Sequence, residues 1–121
     1  MKRGNSLVRS VICALNGIYQ TVREERNIKI ELIIGAIIIA AGAVLTISPF
    51  EWLVIILIIG AVLSLEVKNS STEKICDLLN QSLNLDPQLT KDPRDMAAGA
   101  VLILAISSIF IGLIIFLPKI T

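Results

Sequence analysis

The chain has 121 residues, of which 55% are hydrophobic and 17% charged, with a formal net charge of +1 and a mean hydropathy of +0.81. A soluble domain of this length would have too few polar residues to cover its surface, so the composition predicts an integral-membrane protein of one domain. The charge balance lacks the basic patch expected of a nucleic-acid-binding protein, and the absence of histidine excludes catalysis by an imidazole.

The first predicted element is an amphipathic helix over about residues 6–24. Apolar residues recur at three- and four-residue spacing between Leu7 and Val22, whereas Arg9 and Asn16 fall on the opposite side. Such a helix lies in the cytoplasmic interface of the bilayer, packs against its own helical bundle, or does both.

Three hydrophobic runs follow, and each is interpreted as a membrane span, which needs roughly 17–25 residues. Their predicted ranges are residues 28–47, 49–69 and 95–117. The third run carries no charge between Met96 and Leu117 and is expected to end at Pro118, whereas the first two need their borders to reach the required length. The second is expected to continue as a cytoplasmic helix to about residue 79, because neither glycine nor proline interrupts it.

Positive charges are distributed unevenly among the segments that connect the spans. The segment between the first two spans, residues 46–52, contains no lysine or arginine, and only Lys119 joins it on that side. The other side holds Lys2, Arg3, Arg9, Arg23, Arg26, Lys29, Lys68, Lys74, Lys91 and Arg94. The positive-inside tendency therefore predicts a cytoplasmic N-terminus and an external C-terminus.

A stripe of polar residues follows the apolar part of the second span. Glu66, Asn69, Glu73 and Asp77 recur at helical spacing and are expected to share one face. Neighbouring carboxylates repel one another unless a cation lies between them, and Mg²⁺ binds one or two carboxylates together with phosphate oxygens. Glu66 lies deepest, at the membrane boundary, where a carboxylate partly removed from water is suited to act as a general base. A solvated face on a helix leaving the membrane is the alternative interpretation.

Two further charged clusters border the spans on the same side. They are residues 23–27, with the sequence Arg-Glu-Glu-Arg-Asn, and residues 91–95, with the sequence Lys-Asp-Pro-Arg-Asp. Ionisable residues that border a span tend to mark functional sites, so three clusters at one depth favour a shared site. Carboxylates and cations at a membrane surface indicate phosphoryl transfer near a lipid headgroup, which depends on positioning and electrostatics. The Walker glycine motif of many nucleotide-binding proteins is absent.

Four motifs occur in a definite order along the chain. They are Glu25-Arg26-Asn27 before the first span, Glu51-Trp52 before the second, Glu66-Val67-Lys68-Asn69-Ser70-Ser71-Thr72-Glu73 followed by Asp77, and Asp95-Met96-Ala97-Ala98-Gly99-Ala100-Val101 at the start of the third. This ordered set resembles the motifs of the bacterial integral-membrane diacylglycerol kinase and undecaprenol kinase family. The resemblance extends from Arg9 to Leu117 and implies an all-α membrane fold with one surface helix and three transmembrane helices per subunit.

The resemblance also implies a function and a set of site residues. It implies a homotrimer in the bacterial cytoplasmic membrane that phosphorylates undecaprenol or a diacylglycerol from MgATP, at cytoplasmic active sites shared between subunits. In this family pattern Glu66 is the base, Asn69 assists it, and Glu25 and Glu73 bind Mg²⁺. The implied nucleotide contacts are Glu25, Glu73, Asp77, Lys91, Arg94 and Asp95, and the implied lipid-substrate contacts are Arg9, Glu31 and Glu66.

Some positions depart from the family pattern. Arg94 stands where lysine is usual, Glu31 stands where relatives of the undecaprenol kinase type often have histidine, and Cys13 stands where an aromatic residue is usual. The segment of residues 80–90 is also a few residues longer than usual, so its contacts are not transferred. The Glu-Arg-Asn and Glu-Trp motifs place the chain closer to the undecaprenol kinase branch.

Two other functions stay open from the sequence alone. A small oligomeric channel or assembly partner would also use small residues for close helix packing, as in residues 35–42. A channel, however, would be expected to have polar residues in the middle of a span, whereas the middle of each of the three spans is apolar. A degenerate kinase that binds nucleotide without turnover would retain the same motifs. The isolated Cys13 and Cys76 are typical of small apolar packing residues.

Overall fold

A computed structural model describes residues 3–121, with side chains from residue 6 onward, so that Lys2 and the side chain of Arg3 lie outside the described part. The helices are α1 (Arg3–Glu24), α2 (Arg26–Val44), α3 (Pro49–Leu83) and α4 (Lys91–Ile120), with a 3₁₀ turn at Pro87–Thr90. No β-strand occurs in residues 3–121. The prediction of an all-helical fold is confirmed.

The helices α2, α3 and α4 are long and apolar enough to cross a membrane, which confirms three candidate spans after an N-terminal helix. The longest is α3, whose 35 residues extend over about 50 Å at about 1.5 Å per residue. Because the hydrocarbon core of a bilayer is roughly 30 Å thick, α3 is longer than the apolar layer. Its excess length carries the polar stripe that begins at Glu66.

The turn between α2 and α3 is formed by residues whose conformation and hydrogen bonds are local to it. Thr46 adopts a positive φ of 49°, and Ser48 is the N-cap of α3 with Pro49 at the first helical position. The Ser48 hydroxyl accepts a hydrogen bond from the Glu51 backbone N–H at 3.1 Å, and the Glu51 carboxylate accepts one from the Ser48 N–H at 2.9 Å. This capping box satisfies donors at the start of α3. Glu51 also pairs with Lys119 at 3.2 Å, which joins the start of α3 to the end of α4.

The end of α4 differs from the sequence-based expectation, because the helix continues past Pro118 to Ile120. Proline lacks the N–H that bonds to the carbonyl four residues earlier, but its fixed φ is compatible with helical geometry. The backbone N–H and the hydroxyl of Thr121 both donate to the Leu117 carbonyl, at 3.2 and 2.9 Å. These bonds hold the final turn without a donor from Pro118.

The helices pack around a small core in which α3 contacts both α2 and α4, and α1 contacts α2 and α3. Ile47, Ile55 and Ile115 form the buried cluster. Gly42 permits close approach of α2 to α3, since a Cβ there would lie 2.9 Å from the Trp52 ring. Only 17%, 11% and 6% of the apolar stretches of α2, α3 and α4 are buried. Most of the apolar surface must therefore be covered by lipid or by neighbouring chains.

Candidate active site

A cavity of about 390 Å³ lies between the C-terminal half of α1 and the part of α3 that begins at Val67. We call it the acidic cavity. Its charged lining residues are Glu24, Glu25, Glu73, Lys74 and Asp77. Its small polar lining residues are Gln20, Thr21, Ser70 and Ser71. Glu73 and Asp77 of the polar stripe therefore face the end of α1 and the residue that follows it.

Glu25 reaches the acidic cavity because the chain breaks there between two helices. It is the single residue between α1 and α2 and has an extended backbone, with φ −99° and ψ 126°. Its N–H donates to the Thr21 carbonyl at 2.8 Å, which fixes the end of α1. Its carboxylate makes no capping hydrogen bond to α2, and none of the ion pairs within residues 6–121 includes it. The break thus leaves an uncompensated carboxylate at the cavity wall.

The opposite wall of the acidic cavity carries Glu73 and Lys74, which are consecutive on α3. Glu73, like Glu25, belongs to none of the ion pairs among the described side chains. Lys74 Nζ donates to Glu24 Oε2 at 3.1 Å and so connects α3 to the last residue of α1. This hydrogen bond holds the pKa of Glu24 below its ordinary value.

Glu66 lies on α3 about 10 Å before Glu73, at about 1.5 Å per residue. It is only 6% exposed. The carboxylates of Glu25, Glu31 and Glu73 all lie within electrostatic range of it, and no ion pair in the described part of the chain offsets them. Burying an acidic group among other acidic groups is unfavourable for stability, and ionisable residues placed in this way are typical of functional sites.

Asn69 follows Glu66 by one helical turn on the same face of α3. Its side-chain oxygen Oδ1 is buried and accepts no hydrogen bond from any described residue. A buried acceptor without a donor costs about 1–3 kcal/mol, so such groups in native structures call for an explanation. A ligand that brings a donor next to Glu66 would satisfy Asn69.

A second cavity of about 400 Å³ lies beside the first, and we call it the apolar cavity. Its lining residues are Ile18, Val22, Ile28, Leu32, Leu63, Ser64 and Val67. The Ser64 hydroxyl donates to the Gly60 carbonyl at 2.7 Å, so it is occupied within its own helix. Val67, the residue after Glu66, lines both cavities. An apolar cavity and a charged cavity therefore share one wall residue, which is the neighbour of Glu66 in the chain.

The predicted nucleotide contacts at the start of α4 form ion pairs outside the acidic cavity. Arg94 donates to Asp77 at 2.6 Å, and Lys91 donates to Asp95 at 2.6 Å. Asp77 lines the acidic cavity, whereas Lys91, Arg94 and Asp95 do not. The structure thus brings Arg94 to the cavity edge through Asp77, and it leaves Lys91 and Asp95 paired with each other.

The remaining predicted residues lie farther from the two cavities. Arg9 is exposed on α1, and Glu31 is half-buried on α2; neither lines a cavity, although Glu31 lies within electrostatic range of Glu66. Sequence reasoning assigned no site role to Glu24 or Lys74, which both line the acidic cavity. The position of Lys74 directly after the motif residue Glu73 is the signal that could have identified it.

The side chains of the acidic cavity are compatible with Mg²⁺. No group of three or more aspartate, glutamate or cysteine side chains forms a metal-binding cluster in the described chain. Glu25 and Glu73 instead supply two uncompensated carboxylates to one cavity. Mg²⁺ is commonly bound by one or two carboxylates and completes its shell with water and substrate phosphates, so this donor set fits a metal that arrives with a nucleotide.

Comparison with known proteins identifies the family. The model of the prokaryotic diacylglycerol kinase family matches residues 12–116. The chain is 37% identical to an undecaprenol kinase of Bacillus subtilis (strain 168) over 115 residues, which cover 95% of this chain and 91% of that protein. It is 32% identical to a diacylglycerol kinase of Synechocystis sp. over 103 residues, which cover 84% of this chain and 57% of that protein. No solved structure matches significantly. The chain belongs to the prokaryotic diacylglycerol kinase family and is a kinase that phosphorylates a lipid alcohol.

Proposed function

We propose that this member of the prokaryotic diacylglycerol kinase family transfers the γ-phosphate of MgATP to the hydroxyl of a lipid alcohol at the cytoplasmic surface of a bacterial membrane. The observation that carries the proposal is a pair of cavities of opposite chemistry that share Val67, the residue after buried Glu66. The acidic cavity offers Glu25 and Glu73 to a metal-bound polyphosphate, and the apolar cavity accommodates hydrocarbon.

Glu66 is proposed as the general base. The hydroxyl-bearing end of the lipid tail occupies the apolar cavity, which brings the hydroxyl of the lipid to the boundary next to Val67. Glu66 takes the hydroxyl proton while the lipid oxygen bonds to the γ-phosphorus and the bond from this phosphorus to the β–γ bridging oxygen breaks, so that ADP leaves. A positioned base contributes roughly 10²–10⁴-fold to the rate. Asn69 is proposed to assist from one helical turn away on the same face of α3, where its unsatisfied Oδ1 can accept a hydrogen bond from a donor group of the bound substrates.

Glu25 and Glu73 are proposed to hold Mg²⁺, which when bound neutralises charge on the phosphates during transfer. Asp77 supports the nucleotide from the wall of the acidic cavity, and Arg94 fixes the position of Asp77 while adding positive charge at the edge. Lys91 and Asp95, paired at 2.6 Å, complete the nucleotide-side surface at the start of α4.

Arg9 and Glu31 are proposed to act on the side of the lipid substrate. Glu31 lies within electrostatic range of Glu66 and adds negative charge beside the proposed base. Arg9, exposed on α1, is placed to contact anionic groups at the membrane surface. The apolar side chains of α1, such as Leu15 and Ile18, are exposed in the structure, which supports an amphipathic helix lying in the cytoplasmic interface.

The protein is proposed to be a homotrimer with a cytoplasmic N-terminus and with active sites shared between neighbouring subunits. The charge asymmetry of the connecting segments supports the orientation. The family resemblance supports the trimer. The large uncovered apolar area of α2, α3 and α4 is compatible with subunit contacts inside a bilayer.

Undecaprenol is the proposed acceptor, with a diacylglycerol as the alternative. The undecaprenol kinase relative aligns with 95% of this chain at 37% identity, whereas the diacylglycerol kinase relative aligns with less of it at 32%. The apolar cavity also offers no unoccupied hydrogen-bond donor to the ester carbonyls of a diacylglycerol, since the Ser64 hydroxyl is bonded to Gly60.

The test is transfer of radiolabelled γ-phosphate by the purified protein in mixed detergent-lipid micelles. Undecaprenol and a diacylglycerol are offered separately, with and without Mg²⁺, and Asp92→Asn serves as a carboxylate control outside both cavities. We expect Mg²⁺-dependent labelling of undecaprenol, retained in the control. Labelling of the diacylglycerol alone would reverse the choice of acceptor, and labelling of neither lipid would overturn the proposed function.

A further inference from the structure

Among the side chains that the structure describes, Lys74 is the one cation that lines the acidic cavity. We propose that Lys74 binds the polyphosphate of the nucleotide directly and leaves its partner Glu24 when it does so. The proposal rests on the proposed function and adds a binding residue to the same site. It concerns a residue outside the family motifs quoted above.

The side chains of the acidic cavity carry more negative than positive charge. Four carboxylates line it, from Glu24, Glu25, Glu73 and Asp77, against a single ammonium. A nucleoside triphosphate is itself polyanionic, so it cannot enter such a cavity favourably unless positive charge offsets both sets of oxygens. A divalent ion on Glu25 and Glu73 offsets part of that charge. Lys74 is the side chain of this cavity that can offset more of it.

The two cations at the start of α4 that were predicted to contact the nucleotide are engaged in ion pairs of their own. Arg94 is bonded to Asp77 and Lys91 to Asp95, each at 2.6 Å, and neither cation lines the cavity. Lys74 differs from both because its ion pair with Glu24 spans the cavity from α3 to α1. Its ammonium therefore already lies where the phosphates would enter.

The Glu24 contact is suited to exchange for a phosphate. The side chains of Lys74 and Glu24 are 52% and 47% exposed, and ion pairs with this exposure contribute little to stability. A lysine ammonium is a compact charge on a flexible four-carbon stem, which can move between two acceptors without rebuilding the helix. A phosphate bearing more charge than one carboxylate competes effectively for it.

A purely structural role for the same contact makes a different prediction. If Lys74 served only to hold α1 against α3, removing either partner of the ion pair would have the same effect on nucleotide binding. If Lys74 binds phosphate, removing Glu24 frees the ammonium and removes one repelling carboxylate. Variants of Lys74 and of Glu24 therefore distinguish a structural role of the ion pair from phosphate binding by Lys74.

The experiment compares Lys74→Met, Lys74→Arg and Glu24→Gln in the purified protein with Mg²⁺, using equilibrium binding of ATP and of AMP and the KM values for ATP and for the lipid. Lys68→Met is the matched control, since Lys68 is exposed on the same helix and does not line the acidic cavity. We expect Lys74→Met to weaken ATP binding about tenfold or more, which corresponds to about 1.4 kcal/mol, with AMP binding and the lipid KM unchanged. Lys74→Arg should recover most of the loss, and Glu24→Gln should bind ATP as tightly as the parent protein or more tightly.

Two results would overturn the inference. One is a loss of ATP affinity in Glu24→Gln equal to that in Lys74→Met, which would assign both residues a structural role. The other is unchanged ATP binding in Lys74→Met. Failure of phosphate transfer in the parent protein would instead overturn the proposed function, and the ATP and AMP binding measurements would still decide the role of Lys74. If Lys74→Met does not fold, Glu24→Gln is compared with Lys74→Arg instead. Weakened ATP binding in Glu24→Gln together with preserved ATP binding in Lys74→Arg would contradict the proposal that Lys74 binds phosphate.

Discussion

Arg94 on α4 donates a 2.6 Å hydrogen bond to Asp77 on α3, and this contact joins the two helices at the edge of the acidic cavity. The two side chains are 31% and 59% exposed, so the pair is partly screened by solvent. In a double-mutant cycle with Asp77→Asn and Arg94→Ala, we expect a small favourable coupling in the free energy of unfolding. Strictly additive effects would show that the pair does not form in solution.

The contact between Arg94 and Asp77 also predicts that Arg94 affects nucleotide affinity less than Lys74 does. Because Arg94 does not line the acidic cavity and Lys74 does, we expect Arg94→Ala to raise the KM for ATP less than Lys74→Met does. Steady-state kinetics at saturating lipid measures both values. The opposite order would mean that Arg94 turns away from Asp77 to contact the phosphates itself.

Glu25 and Glu73 are expected to control the Mg²⁺ requirement. Each is an uncompensated carboxylate of the acidic cavity, so removing either charge removes a metal ligand without breaking an ion pair. We expect Glu25→Gln and Glu73→Gln each to raise the Mg²⁺ concentration needed for half-maximal activity by about tenfold or more, within the roughly 10–100-fold range seen when groups at metal sites are altered. Asp92→Asn should leave the Mg²⁺ titration unchanged, and a parent-like titration in both glutamate variants would remove them from the metal site.

Gly42 is expected to be intolerant of a side chain. A Cβ at this position would lie 2.9 Å from the Trp52 ring and 3.0 Å from Ile47, whereas a Cβ at Gly60 would meet nothing within 4 Å. We expect Gly42→Ala to destabilise the protein by about 1–2 kcal/mol, because overpacking exceeds the gain in helix propensity. Gly60→Ala should be neutral or stabilising by up to about 1 kcal/mol. Unfolding in micelles, followed by the fluorescence of the single tryptophan, compares the two.

The two cysteines report the orientation in the membrane. Cys13 on α1 is exposed, whereas Cys76 on α3 is buried at 3% exposure. With a cytoplasmic N-terminus, a membrane-impermeant maleimide should label Cys13 in inside-out vesicles and not in right-side-out ones. The variant Cys13→Ser should lose the label until detergent unfolding exposes Cys76. Labelling of Cys13 in right-side-out vesicles would reverse the proposed topology.

Much of the fold could be predicted because the length of an apolar run and the residues that begin a helix can be identified from neighbouring positions in the sequence. The apolar runs predicted three helices long enough to span a bilayer, and the predicted second range, from residue 49, begins where α3 begins. The continuation of α4 through Pro118 was not predicted, because proline usually ends a helix. The final turn is held by the two bonds from Thr121 to the Leu117 carbonyl, which the proline itself does not indicate.

The site was only partly predictable, because helical periodicity places residues on a face and says nothing about which helix covers it. The spacing of Glu66 and Glu73 predicted a common face on α3. The contact of that face with the end of α1, which brings Glu24 to Lys74, depends on the single-residue break at Glu25. The hydrogen bond of Asn80 to Thr90 at 2.9 Å, which closes the segment before α4, was equally invisible because the two residues lie ten apart in the chain.

The central claim is that Glu66 accepts the proton of the lipid hydroxyl, and it is tested most directly by the rate of phosphate transfer in a single turnover. The parent protein and Glu66→Gln are mixed with limiting radiolabelled MgATP and excess undecaprenol in micelles, and ATP binding is measured in parallel. We predict a rate lower by roughly 10²–10⁴-fold in Glu66→Gln with ATP affinity unchanged. Transfer at the parent rate by a folded Glu66→Gln protein would contradict the account.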